Sequence, residues 1–292
     1  MIIVTGGAGF IGSALVWGLN RRGREDILIV DRLGCADTWK NLVGLRFHDY
    51  IDKARFISLL EDGAFDTGTD AILHMGACSS TTESDADYLM ENNYRYSERI
   101  GSWWEKNSSV RFIYASSAAT YGDGSRGYTD DHDALQTLRP LNMYGYSKHL
   151  FDCAALRRGW LDGCVGLKFF NVFGPNEYHK GTMKSLVAKT FANVRDRGTI
   201  SLFKSYRKDY ADGEQKRDFI YIKDVVEMTL FFLEARSCNG IYNIGTGRAR
   251  SWNELARALF AACGKEGAIE YIDMPCEIRG KYQYFTEADC TR

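Results

Sequence analysis

Neither sign of charge dominates this 292-residue sequence: 37 Lys and Arg stand against 38 Asp and Glu, a formal net charge of −1. That balance gives no reason to expect nucleic acid or a polybasic membrane contact as a partner. Metal-binding patterns are missing too. The eight cysteines (Cys35, Cys78, Cys153, Cys164, Cys238, Cys263, Cys276 and Cys290) contain no CxxC pair and the five histidines are scattered, so no metal site is expected. No apolar stretch comes near the length, about 18 residues, that marks a membrane-spanning helix. A strand-like run opens at residue 2, which leaves no room in this sequence for a leader. Internal repeats and low-complexity segments are absent. The expectation is a cytoplasmic protein with reduced thiols. Its 45% hydrophobic and 26% charged residues are ordinary for a globular chain, long enough for one large or two modest domains.

What is present begins at once. The apolar run Ile2-Ile3-Val4 leads into Gly6, Gly9 and Gly12, spaced i, i+3 and i+6. Such a spacing serves a strand-to-helix turn: one glycine for the tight bend, one for close approach to a pyrophosphate, one for helix–sheet packing. The phosphates would sit at a helix N-terminus, where free N–H groups and the helix dipole favour negative charge. A second apolar run, Ile27-Leu28-Ile29-Val30, ends in Asp31, 19 residues after Gly12, where a carboxylate would meet the adenosine ribose. A dinucleotide site follows from the two together.

Further apolar runs at Ala71–His74, Phe112–Ala115 and Val165–Phe170 alternate with helical stretches such as Asp87–Glu105 and Tyr144–Arg158. This rhythm predicts an α/β chain with a doubly wound parallel sheet, whose ligands bind beyond the carboxyl ends of the strands. Past Gly174-Pro175 the rhythm breaks. Residues 204–217 are dense in charge and read as an exposed loop. Arg217–Ile222 and Asp224–Glu234 read as one more strand and helix returning to the first domain. The expected division is 1–174 plus 213–242 for the dinucleotide domain, with 175–212 plus 243–292 as a smaller interleaved lid. Thr286–Asp289 reads as the start of a helix, so that a C-terminal helix would be missing after Arg292.

Tyr144 and Lys148 stand at i and i+4, on one face if the segment is helical. A phenol of ordinary pKa about 10 is a poor base at neutral pH, and a neighbouring ammonium would lower it. The same spacing also fits a chance pair on a solvated helix. Upstream, Tyr114–Gly122 closes a strand with hydroxyls, and Ser117 could hydrogen-bond a reacting oxygen beside Tyr144.

The glycine turn, the Ser117 segment and Tyr144-xxx-Lys148, with Arg217–Tyr221 and Asn243–Gly247 as later landmarks, resemble the extended short-chain dehydrogenase/reductase family over the whole chain. His74–Glu83, Ala115–Gly122, Phe170–Pro175 and Glu177–Met183 are similar to its branch of 6-epimerases acting on ADP-linked heptose. The resemblance implies a Rossmann-type fold with a substrate-binding C-terminal part and a Ser117/Tyr144/Lys148 triad. It also implies an isomerase that oxidises C6 of ADP-heptose to a ketone with bound NADP and reduces it on the other face, in bacterial lipopolysaccharide core assembly. Two acid/base groups are then needed, Tyr144 and Lys180. On the residues alone, Lys180 beside His179 also fits a solvated loop charge. A homo-oligomer, a pentamer in the family, is implied as well.

For the cofactor, the resemblance carries over Gly6, Gly9, Phe10, Ile11, Gly12, Asp31, Arg32, Lys53, Met75, Gly76, Ala77, Cys78, Ser79, Asn92, Lys148 and Val172. Asp31 favours a free 2′-hydroxyl and NAD, whereas Arg32 suits the 2′-phosphate of NADP. Thr38 replaces a lysine common in the family, Lys40 follows two residues on, and Met75 replaces an acid. For the substrate, Asn171, His179, Thr182, Lys189, Phe203, Lys204, Ser205, Arg217 and Tyr282 carry over, with Arg217 expected on the diphosphate. Lys189 stands where the family often has His, and the loop Tyr206–Gln215 is longer than usual. Other readings differ by residue. A nucleotide-sugar 4,6-dehydratase would carry Asp-Glu where Ala118-Ala119 stands, a UDP-sugar 4-epimerase would lack His179-Lys180-Gly181, and a redox-sensing binding module would lose the Tyr144–Lys148 pair.

Overall fold

A computed structural model describes residues 1–35, 37–280 and 282–292. In chain order the first half runs β1 (Ile2–Thr5), α1 (Phe10–Arg21), β2 (Ile27–Asp31), β3 (Asp49–Asp52), α2 (Lys53–Glu61), β4 (Ala71–His74), α3 (Ala86–Leu89), α4 (Tyr96–Lys106), β5 (Arg111–Ser117) and α5 (Met143–Arg157). The second half runs β6 (Val165–Phe169), β7 (Asn171–Phe173), α6 (Leu186–Arg197), β8 (Thr199–Phe203), β9 (Lys216–Tyr221), α7 (Ile222–Glu234), β10 (Gly240–Ile244), β11 (Ala249–Ser251), α8 (Trp252–Ala262), β12 (Ala268–Ile272) and α9 (Cys276–Arg279). Seven strands form one sheet in the order β3-β2-β1-β4-β5-β6-β10, and its pairings are all parallel. The Rossmann-type doubly wound sheet expected from the sequence is present.

Alternation along the strands builds the two layers. Ile3, Leu28, Ile72, Phe112 and Tyr114 bury one face against Phe56, Trp103, Trp104 and Phe151 from α2, α4 and α5. Ile2, Val4, Ile29, Leu73 and Ile113 bury the other against Leu15, Val226 and Leu230 from α1 and α7. Side chains on a strand point alternately to opposite faces, which is why strands covered on both sides read as continuous apolar runs. A smaller cluster of Val194, Ile200, Leu202, Ala256, Leu259 and Phe260 packs α6 and α8 onto β8. Among the described residues, no helix is long and apolar enough to cross a membrane.

Four expectations need correcting. The helix of the 217–234 unit does return to the first domain, but its strand does not join the large sheet. β9 pairs in parallel with β7 and antiparallel with β11, because β10 already occupies the edge beside β6. That strand, Gly240–Ile244, runs across the expected 242/243 boundary. Thr286–Asp289 is not helical. Its backbone is claimed from outside: Thr286 N donates to Lys216 O at 3.2 Å and Ala288 N to Asp218 Oδ2 at 3.0 Å. The 204–217 loop is exposed in its middle, yet Gln215 and Arg217 at its end are buried.

Candidate active site

Beyond the carboxyl ends of β1, β4, β5 and β6 lies a cavity of about 810 Å3. Its floor starts at the glycine turn. Gly6 has φ +65°, and a Cβ there would meet Gly76 Cα at 2.7 Å; a Cβ on Gly12 would lie 2.1 Å from Gly6 O. The backbone is thus folded so closely that only glycine fits, and Gly9, with extended backbone, caps α1 without a side chain. This leaves the first N–H groups of α1 free for an anion. Asp31 Oδ2 accepts from Ala8 N at 2.9 Å, so the turn and the carboxylate form one unit. These residues fit the pyrophosphate and ribose of a dinucleotide.

A buried chain of hydrogen bonds supports this floor. Gly76 N donates to Thr5 Oγ1 at 3.1 Å, and Thr5 Oγ1 lies 2.6 Å from His74 Nδ1. His74 Nε2 lies 2.8 Å from Ser97 Oγ, which donates to Asn93 O at 2.6 Å. Because the Ser97 hydroxyl spends its one proton on Asn93, Nε2 must be the donor and Nδ1 the acceptor from Thr5. Burial pushes His74 down to about 3, so the imidazole is neutral. Asn93 also holds Cys78, accepting from its N–H at 2.8 Å and donating to its carbonyl at 3.0 Å.

The wall above is made by α5. Asn142 caps it by accepting from Gly145 N at 2.8 Å, which starts the helix one residue before Tyr144. Tyr144, Lys148 and Ser117 all line the cavity. Lys148 Nζ donates to Ala115 O at 2.8 Å, and burial lowers it to about 8. Tyr144 differs from expectation: burial raises the phenol, and its Ser117 contact only partly opposes this. The lysine ammonium serves the Ala115 carbonyl instead, so burial decides the direction.

A third wall comes from the second part of the chain. His179 and Lys180, from the turn Tyr178–Met183, line the cavity. Asn41 Nδ2 ties His179 Nδ1, at 3.0 Å, to the glycine turn through Ala8 O, also at 3.0 Å. Lys180 Nζ sits 5.2 Å from the centre of the Phe10 ring. Burial lowers its pKa, opposed by Glu177 and assisted by Lys189. Glu177, itself buried, accepts from Ser185 Oγ at 2.6 Å and Gly174 N at 3.2 Å.

Of the residues singled out by sequence, Gly6, Gly9, Phe10, Ile11, Gly12, Asp31, Met75, Gly76, Ala77, Ser79 and Val172 join the lining, as do Asn171, Lys189, Phe203 and Tyr282. Others stand outside it. Arg32 and Thr182 are exposed. Lys53 donates to Asn92 Oδ1, and Cys78 is held by Asn93. Lys204 faces Asp273 at 3.2 Å, and Ser205 N donates to Asp212 at 2.7 Å. Arg217 turns to the carbonyls of Lys216 and Gln283 and lies against the rings of Tyr282 at 5.0 Å and Trp252 at 5.9 Å. It therefore backs the wall instead of forming it. Sequence reading missed Asn41, Asn93 and the lining residues Phe219 and Trp252; Asn41 and Asn93 stand in polar segments, Trp39-Lys40-Asn41 and Glu91-Asn92-Asn93, that carry no signal of their role.

Residues 2–245 match the model of the NAD dependent epimerase/dehydratase family. Over 288 residues the chain is 56% identical to the ADP-L-glycero-D-manno-heptose-6-epimerase of Nitratidesulfovibrio vulgaris, covering 99% of this chain and 89% of that one. The crystal structure of the Helicobacter pylori ADP-L-glycero-D-manno-heptose-6-epimerase superposes with a TM-score of 0.81 at 29% identity, covering 99% of this chain and 87% of that one. The UDP-glucose 4-epimerase of Thermus thermophilus, in complex with NAD, gives a TM-score of 0.74 at 26% identity, covering 99% and 90%.

Proposed function

The chain belongs to the NAD dependent epimerase/dehydratase family, and from that premise we propose that it is an isomerase inverting C6 of an ADP-linked heptose. It would interconvert ADP-D-glycero-β-D-manno-heptose and ADP-L-glycero-β-D-manno-heptose through a transient 6-keto sugar. The observation that carries this reading is a single cavity lined by the glycine turn, by Ser117, Tyr144 and Lys148, and by Lys180. When bound, the nicotinamide supplies a reversible acceptor and donor of hydride at C6. Tyr144 holds and returns the hydroxyl proton on one face, with Ser117 hydrogen-bonding the same oxygen. Lys180 does so on the other, its ammonium brought toward neutral pH by burial. Inversion needs both, since each face of C6 presents its oxygen to a different wall. Residues 1–174 with 213–244 hold the dinucleotide and the remainder closes over the sugar.

NADP is the proposed cofactor. Burial and then the Arg32 guanidinium lower the pKa of Lys53, and a 2′-phosphate on the Asp31 side would relieve that repulsion between cations. The proposal includes the bacterial cytoplasm as location and a homo-oligomer as the working form. The test uses cofactor-loaded protein and ADP-D-glycero-β-D-manno-heptose followed by proton NMR. A mixture of the two C6 epimers should form with no net change in absorbance at the reduced-nicotinamide band. Unchanged starting epimer would refute the function; equal retention of NAD and NADP after desalting would refute the cofactor preference.

A further inference from the structure

Behind the wall that carries Ser117 and Tyr144 lies an ion pair with no exposure at all: Lys168 Nζ and Asp152 Oδ2 are 2.7 Å apart, each side chain 0% accessible. Every polar atom of the pair is used. Asp152 Oδ2 also accepts from Ser116 Oγ at 2.7 Å, and Oδ1 accepts from the Tyr114 hydroxyl at 3.1 Å. Lys168 donates to Thr120 Oγ1 at 2.6 Å and lies 5.0 Å from the centre of the Tyr121 ring. Thr120 in turn donates to Ser117 O at 2.8 Å.

These bonds form a closed loop through the strand end. Lys168 on β6 reaches Ser117 by way of Thr120, and reaches Ser116 by way of Asp152. Asp152 sits on α5 one turn after Lys148, and Lys148 Nζ grips Ala115 O. Three successive residues, Ala115, Ser116 and Ser117, are therefore held to α5 or to β6 by side-chain hydrogen bonds. A buried ion pair seldom stabilises a fold more than apolar side chains of equal volume. Its place at the joint between the serine strand and the tyrosine–lysine helix calls for a different role.

We propose that Asp152 and Lys168 are positioning residues that fix Ser117, Tyr144 and Lys148 relative to one another. This rests on the reading of Tyr144 and Lys148 given above. The titratable groups facing Lys148 are Asp152 and Tyr144 on its own helix, Cys78 from the segment after β4, and His74 on β4. Burial lowers the Lys148 ammonium, and Asp152 is the first group that raises it. An ammonium required for turnover is lost as pH rises through its pKa, so Asp152 shapes the alkaline limb of kcat.

The test compares Asp152→Asn, the double variant Asp152→Asn with Lys168→Met, and Lys168→Arg, with Tyr144→Phe alongside. Asp152→Asn should lower kcat by at least about tenfold, since small misplacements of reacting groups are costly, with KM and bound cofactor unchanged. Its alkaline limb should move to lower pH. The double variant, which buries no net charge, should regain the melting temperature but neither kcat nor the limb; it decides the matter if Asp152→Asn alone fails to fold. Lys168→Arg should keep most of the turnover and the wild-type limb. A double variant with wild-type kcat and limb would overturn the proposal, because the pair would then be structural only. Full turnover by Tyr144→Phe would overturn the reading of the site and this inference with it. An inactive Tyr144→Phe beside an unmoved limb in Asp152→Asn would remove the pair alone.

Discussion

Protonation of His74 should cost the folded protein stability as the pH falls, and the size of the effect follows from its surroundings. The imidazole is fully buried between Thr5 and Ser97, with Nδ1 accepting and Nε2 donating. Desolvation, and to a lesser degree the Lys148 ammonium, lower it from 6.5 to about 3. A proton on Nδ1 would also face the Thr5 hydroxyl, whose own proton already points there. The unfolded chain takes up this proton below 6.5, whereas the folded chain refuses it until about 3. Stability from this group is therefore present above 6.5 and lost progressively between those two values. At pH 5 the loss comes to about 2 kcal/mol, and over the whole window to about 5 kcal/mol. His74→Gln does not titrate. Urea unfolding at pH 7.5 and pH 5 should show a pH-dependent loss smaller in this variant by about 2 kcal/mol. Proton NMR of the histidine ring signals gives an independent reading, with the His74 signals failing to move between pH 8 and pH 5. Equal pH dependence in the two proteins, or His74 signals that titrate between pH 8 and pH 5, would refute the assigned tautomer chain.

Gly12→Ala puts a Cβ 2.1 Å from Gly6 O, a backbone atom that cannot step aside; the purified variant should carry at least about tenfold less nicotinamide cofactor, read by absorbance after denaturation, and full occupancy would contradict the cradle. Lys180→Met should retain its cofactor while epimer exchange falls by ~10²-fold or more, the usual contribution of a positioned acid/base group; wild-type exchange would remove Lys180 from the chemistry. Arg217→Leu removes the guanidinium that lies against Tyr282 and Trp252; KM for the ADP-sugar should rise severalfold with cofactor content unchanged, and an unaltered KM would show that this part of the wall does not meet the nucleotide.

Legibility in the sequence followed the range of the interactions. β1, β2, β4, β5 and β6 carry continuous apolar runs because both faces are covered, and Gly6, Gly9 and Gly12 are spaced by the turn they build, so both could be read locally; the edge strands β3, with Asp49 and Asp52 exposed, and β10 carry no such run. The same holds for Tyr144 and Lys148, brought together by one helical turn. Where a partner lies far along the chain, the reading failed. The strand at Lys216–Tyr221 looks like any other, and only the occupied edge beside β6 sends it to Asn171–Phe173. Thr286–Asp289 has the residues of a helix start, but Lys216 and Asp218 take its backbone groups. Asp152 and Lys168 are ordinary charged residues in sequence, and only the packing of α5 onto β5, the neighbour of β6, makes them a buried pair. The direction of Tyr144 was missed for a related reason: the nearby ammonium was visible in the spacing, the burial that outweighs it was not.

The central claim is that C6 is inverted by removing its hydride and returning the same one to the other face. Substrate labelled with deuterium at C6, turned over in ordinary water by the cofactor-loaded protein, tests it most directly. The deuterium should remain on C6 in both epimers at equilibrium. Replacement of the label by hydrogen from water during inversion would contradict it.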